Sequence, residues 1–137
     1  MQTFLPYPSI VESVRCLDSK RLGKQRVEAL QILKALSNPA YGWQNHPAVN
    51  MWRGYEQWLT IYMNYCIYEW VRRGYNNTML LCVDRFPISG RYVKRPDWWE
   101  KEEFHSSHRS ALLKKDPKWY SRFGWTEEPK LDYVWPV

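Results

Sequence analysis

Between Val49 and Gly74 the apolar residues recur three and four positions apart. Trp52, Tyr55, Leu59, Tyr62, Cys66 and Trp70 fall on one stripe, the spacing of a helix with one buried face. The pattern predicts a long central helix over "VNMWRGYEQWLTIYMNYCIYEWVRRG". Arg72 and Arg73 complement its C-terminal dipole and Gly74 suits the position just past its end. Upstream, "PSIVESV" places Ser9 three residues before Glu12, a capping-box spacing that opens a short helix ending near Cys16. Asp18 or Ser19 can cap the next helix, which runs to about Leu36, where "SNPAYG" breaks it. On a wheel at about 100° per residue, Leu22, Ala29, Leu33 and Leu36 form its core face. Glu28 lies off that face, flanked by Arg21, Lys24, Gln25 and Ile32.

Past the long helix the pattern fades. From Asn76 to Pro96 no period is sustained, and "DRFPISGRYVKRPD" reads as an ordered basic loop carrying Arg85, Arg91, Lys94 and Arg95. A helix restarts in "PDWWEKEEFHSSHRSALLKKDP", with Asp97 as cap, acids in its first turns and Lys114 and Lys115 at its end. Asp116-Pro117 stops it. The tail "KWYSRFGWTEEPKLDYVWPV" is aromatic and interrupted by proline. No segment alternates as a strand does. The expected fold is all-α: a compact single-domain helical bundle over residues 1–137 with a long central buried helix and an aromatic tail.

Composition narrows the classes. At 45% hydrophobic, the 137 residues can bury a core. No apolar stretch nears the roughly 20 residues of a membrane span. Twenty Lys and Arg against 14 Asp and Glu leave a formal charge of +6, which favours an anionic partner, nucleic acid first. Aromatic residues make 17% of the chain, enough to build a core from rings or to leave some beside cations for stacking on bases. Cys16, Cys66 and Cys82 are odd in number and form no CxxC. They point to free thiols in a reducing compartment, not to zinc. "MQTFLPYPSI" has neither a basic start nor a long apolar run, so a cytoplasmic location is expected.

Three stretches carry candidate chemistry. In "DSKRLGKQRVEALQIL" the cations Lys20, Arg21, Lys24 and Arg26 crowd a single acid, Glu28. Glu28 is either a surface carboxylate paired with Lys24 or an acid set among groups that hold a polyanion. His105 and His108 form an HxxH followed by Arg109. With no third ligand, metal is not expected. His108 shares a stripe with Phe104, Ala111 and Leu112, the place of a core histidine, while His105 and Arg109 could reach phosphate. His46, before a proline, suits a capping or core role.

Three motifs in the same order resemble the phage-type pyrimidine dimer DNA glycosylases, the "endonuclease V" family of ultraviolet-damage repair. They are "RLGKQRVEAL", a basic run with one Glu on the first long helix; "YEWVRRGYN", a basic pair, Gly and an aromatic closing the central helix; and "DPKWYSRFGW" after the last helix. The resemblance implies a compact helical domain that needs no metal or organic cofactor. It implies that the chain's α-amino group attacks C1′ of the damaged nucleotide, that the base leaves as an imine forms, and that β-elimination cuts the strand. Glu28 matches the family's essential glutamate, which can stabilise cationic sugar character and move protons around the imine. An α-amine, with an ordinary pKa of about 7.7–8.0, is in part neutral near pH 7 and suits a nucleophile.

The sequence departs from the family at two places. The family's nucleophile is a Thr exposed by loss of the initiator Met, whereas residue 2 here is Gln, too large for that removal. Met1 is therefore expected to stay and to supply the amine. The family also has an arginine directly before the glutamate, where this chain has Val27. Arg21 or Arg26 would have to make that phosphate contact. The expected function is a cofactor-independent DNA glycosylase and AP lyase acting on damaged pyrimidines in double-stranded DNA, with no obligate protein partner. The expected phosphate contacts are Arg21, Lys24, Arg26, Arg91, Lys94, Arg95, His105, Arg109, Lys114, Lys115 and Lys118. Trp119 and Tyr120 are expected to pack against the distorted duplex. The alternatives are a non-catalytic binder of distorted or single-stranded nucleic acid and a metal-dependent nuclease using His105 and His108.

Overall fold

A computed structural model of the chain describes residues 1–79 and 94–137. Among these residues there are six α-helices and no strand: α1 Ile10–Cys16, α2 Ser19–Ser37, α3 Pro47–Asn50, α4 Glu56–Arg72, α5 Glu102–Lys115 and α6 Pro117–Tyr120, the last followed by a 3-10 turn at Ser121–Phe123. The first boundaries follow from their caps. Ser9 Oγ accepts from the Glu12 amide at 3.2 Å and opens α1. Asp18 accepts from the Arg21 amide at 3.3 Å and opens α2. Each satisfies a backbone donor that the helix itself leaves without a partner.

Helices α2 and α4 form the main packing pair. They approach closely at Gly23, where a Cβ would lie 2.9 Å from Trp70 Cζ3, so the absence of a side chain is what admits the indole. Leu22, Ala29, Ile32 and Leu33 of α2 meet Leu59, Tyr62, Met63 and Cys66 of α4 in the core. Cys16 and Cys66 are free thiols.

Two helix boundaries differ from those that periodicity suggests. The expected helix from Val49 is broken: α3 ends at Asn50, Gly54 turns the chain at φ +90°, and α4 begins at Glu56. The break lets Trp52 leave the helical stripe, donate from Nε1 to Thr3 Oγ1 at 3.0 Å and meet Trp98 and Trp99 edge-on. Likewise α5 begins at Glu102 and not at Asp97. Trp98 and Trp99 are turned into the core as a stacked pair, which a continuous helix starting at Asp97 would not permit. Glu100 takes φ +74° at this corner and its amide donates to His105 Nε2 at 3.1 Å.

The first residues run through the interior, with Thr3 and Leu5 fully buried. A buried segment outside any helix or strand must find other backbone partners, and the two histidines of α5 supply them. Leu5 N–H donates to His108 Nδ1 at 2.9 Å, and His105 Nδ1 donates to Leu5 O at 2.7 Å. The aromatic tail is held along α5 by serines: Ser106 donates to Glu127, Ser107 accepts from the Val134 amide and Ser110 accepts from the Lys130 amide. Arg85, Arg91 and Cys82 lie outside the described residues. Among the described residues, no helix is long and apolar enough to cross a membrane.

Candidate active site

The start of α2, the first residues of the chain and the tail enclose a cavity of about 360 Å³ lined by Met1, Gln2, Phe4, Lys20, Arg21, Lys24, Gln25, Glu28, Lys115 and Tyr133. Four cationic side chains and the first residue of the chain share it with one lining carboxylate, that of Glu28. Positive charge and low surrounding dielectric concentrate an anionic ligand here. The helical spacing of Lys20, Lys24 and Glu28 follows directly from α2, which presents residues four apart on one side.

Gln25 joins the chain start to the acid. Its Nε2 donates to Gln2 O at 3.0 Å and to Glu28 Oε2 at 2.9 Å, while its Oε1 accepts from the Phe4 amide at 2.8 Å. Two acceptors on one side and a backbone donor on the other fix which end of the amide is nitrogen. The Tyr62 hydroxyl lies 2.6 Å from Gln25 Oε1 and 2.8 Å from Phe4 O. Burial holds the Tyr62 phenol well above its ordinary pKa, so it stays a donor. Periodicity placed Gln25 on the flank beside Glu28; it is in fact 1% exposed. No helical spacing signals this role, which is set by Gln2, Phe4 and Tyr62 from other parts of the chain.

A row of rings starts at Tyr133, which lines the cavity. Tyr133 meets Trp135 at 5.5 Å between centroids, Trp135 meets His46 at 5.8 Å, and His46 meets Trp43 at 5.8 Å. His46 caps α3 by accepting from the Ala48 amide at Nδ1 (3.0 Å), as its place before a proline suggested. Its pKa is lowered by burial and next by the positive chain terminus, with Glu28 opposing. His46 thus stands within electrostatic reach of both groups. Burial likewise raises the Tyr133 phenol, with Arg21 lowering it and Glu28 raising it.

Of the expected DNA contacts, Arg21, Lys24 and Lys115 meet at the cavity with Met1 and Glu28. Arg21 also pairs with Asp18 at 3.3 Å. Lys114 and Lys118 are exposed. Lys94 is exposed and pairs with Asp97 at 3.3 Å, while Arg95 lies 5.0 Å from the ring centres of both Trp58 and Trp99. Arg91 is outside the described residues.

Burial corrects three assignments, and a fourth residue points elsewhere. His105 is fully buried and spends both ring nitrogens on backbone. Arg109 is 9% exposed and is consumed by Glu102, Glu127 and Pro6 O. Tyr120 is fully buried, with its hydroxyl bonded to Asp18. Arg26 stacks 4.4 Å from the Trp70 ring centre and donates to Asn77 Oδ1 at 2.6 Å, away from the cavity lining. His105, Arg109 and Tyr120 present no free charge or ring to a duplex, whereas Arg26 is half-buried and pairs with no carboxylate among the described residues. Trp119 is half-buried, donates from Nε1 to Cys16 O at 2.9 Å and carries Arg122 over one face at 3.9 Å. Among the described residues no cluster of three or more His, Cys, Asp or Glu is placed to hold a metal.

A family model described as pyrimidine dimer DNA glycosylase matches residues 1–82. No curated protein and no solved structure matches the chain. The matched span contains Met1, Gln25, Glu28 and His46, while Lys115 and Tyr133 complete the cavity from beyond it. The match covers more than half of the 137 residues, and the chain belongs to the pyrimidine dimer DNA glycosylase family.

Proposed function

We propose that the protein excises damaged pyrimidines from double-stranded DNA and then cuts the strand, with the α-amine of Met1 as nucleophile and Glu28 as the proton-handling acid. The observation that carries this reading is the shared cavity: Met1 and Glu28 line one cationic recess, and Gln25 ties Glu28 to the carbonyl of Gln2, the next residue after Met1. The amine nitrogen attacks C1′ of the sugar and the glycosidic bond breaks toward the base, which leaves with the bonding electrons and takes up a proton. Ring opening gives an imine between protein and C1′. Loss of a C2′ proton then expels the 3′ phosphate by β-elimination, and water releases the protein. Glu28 stabilises positive charge on the sugar and relays these protons. Lys20, Arg21, Lys24 and Lys115 hold flanking phosphates. No step calls for a metal or organic cofactor.

Borohydride trapping tests the reading. Incubation with abasic-site duplex and borohydride is expected to give a covalent adduct, and mass spectrometry is expected to locate it on the nitrogen of a retained Met1. Blocking the N-terminus should abolish it. Intact binding without an adduct would instead identify a non-catalytic binder of distorted DNA.

A further inference from the structure

The tail beyond α6 closes one side of the cationic recess with a ring. Tyr133 is half-buried and lines the recess together with Met1, Phe4, Arg21 and Glu28. Helix α5 holds this part of the tail in place. Ser107 accepts from the Val134 amide at 3.1 Å, Ser110 accepts from the Lys130 amide at 3.0 Å, and Arg109 donates to Glu127 at 2.8 Å. The ring of Tyr133 meets Phe4, His108 and Trp135 edge-on, at 6.2, 5.8 and 5.5 Å between centroids. These contacts fix the ring and leave its polar end unspent. Among the described residues the Tyr133 hydroxyl has no hydrogen-bond partner, although a tyrosine packed this far into a protein ordinarily finds one. Gln2 Nε2 also lacks a partner, but it is sealed from solvent, whereas the Tyr133 hydroxyl is not. A braced ring that presents a free donor to the recess points to an acceptor on whatever the recess binds.

The reaction proposed above must stabilise charge in three places. Glu28 answers the positive charge on the sugar, and the four cations answer the phosphates. The third charge is on the base. As the bond between C1′ and the base nitrogen breaks, its electron pair passes to the base. The negative charge spreads onto the carbonyl oxygen O2, which sits on the ring carbon next to that nitrogen. A neutral donor suits this oxygen, because it stabilises the developing charge and brings no cation to pair with Glu28. Burial raises the Tyr133 phenol, so it stays protonated and remains a donor. In a duplex the O2 of a pyrimidine opens on the minor groove. One approach along that groove brings an amine to C1′ and a phenol to O2. We propose that Tyr133 is a substrate-contacting residue, whose hydroxyl donates to O2 of the pyrimidine as the glycosidic bond breaks. The hydrogen stays on the phenol throughout, and the proton that the base finally takes up comes by way of Glu28. The proposal rests on the reading of the cavity given above.

Tyr133→Phe removes the hydroxyl and keeps the ring among Phe4, His108 and Trp135, so it is expected to melt at the wild-type temperature. Two substrates separate the contact from a structural role. On a duplex with a single thymine dimer, breaks developed by hot alkali count every cleaved glycosidic bond. Their single-turnover rate should fall about a hundredfold, the lower end for losing one donor to a developing oxyanion. On an abasic duplex the base is already gone, and the rate of borohydride trapping should match that of wild type. A wild-type rate of alkali-developed breaks in Tyr133→Phe, or equal loss on the two substrates, would overturn the proposal. If wild type cleaves the glycosidic bond but forms no adduct, the amine reading alone fails. Loss of alkali-developed breaks in Tyr133→Phe at unchanged affinity for abasic duplex then supports the contact, and no loss overturns it. If wild type gives neither breaks nor adduct, the functional reading fails and the contact with it.

Discussion

Gln25 donates one amide hydrogen to Glu28 Oε2 at 2.9 Å and the other to the carbonyl of Gln2 at 3.0 Å. The residue is almost fully buried, so this geometry is held by packing as well as by hydrogen bonds. A single side chain therefore sets the distance between the chain start and the acid. Gln25→Met keeps the volume and removes the bridge. It is expected to lower single-turnover strand cutting by about tenfold or more with little change in DNA affinity, and to cost about 1–3 kcal/mol of stability from unpaired buried groups. Urea unfolding and burst kinetics measure the two effects separately.

Glu28→Gln leaves an oxygen to accept from Gln25 and removes the charge and the proton relay. DNA affinity should be retained, while strand cutting falls by about 10²–10⁴. Gel-shift titration and a cleavage assay on the same duplex check it. Parallel loss of binding and cutting would make the carboxylate a structural element.

The basic side chains divide into two classes. Lys115→Ala, at the cavity mouth, should weaken binding to all sequences and reduce the magnitude of the salt slope by about one. Arg109→Ala should leave that slope unchanged and destabilise the fold by about 3 kcal/mol, because it strands Glu127 and Pro6 O. Salt titrations of affinity and urea melts distinguish them.

His108 predicts acid sensitivity. Burial, then the neighbouring His105, lowers its pKa from 6.5 to about 3. The unfolded chain therefore binds a proton below about pH 6.5 that the folded chain refuses until about pH 3. Stability from this group is complete above pH 6.5 and falls through that window, at about 1.4 kcal/mol per pH unit in its middle. His46 and His105 are shifted the same way. Thermal melts between pH 7 and 4 should show the loss, and His108→Gln, which keeps an acceptor for the Leu5 amide, should flatten it.

The helices were legible where local chemistry decides them. Ser9 and Asp18 cap α1 and α2, and Gly74 takes φ +93° just past α4. The starts of α4 and α5 were not, because Trp52, Trp98 and Trp99 gain more by meeting one another across the core than by continuing a helix. The same holds for the site. The run of cations around Glu28 reads directly from the spacing of α2. The inward turn of Gln25, the backbone duty of His105 and the enclosure of Arg109 depend on residues about 20 to 100 positions away, which no local pattern encodes.

The buried course of residues 2–5 has a kinetic corollary. Chain ends ordinarily fray first and exchange their amide hydrogens within moments. Here Phe4 and Leu5 give their amides to Gln25 and His108 in the interior, so these hydrogens should be released only when the whole domain opens. The proposed reagent at the tip would then stay aimed for as long as the protein remains folded, and its working lifetime would equal that of the core.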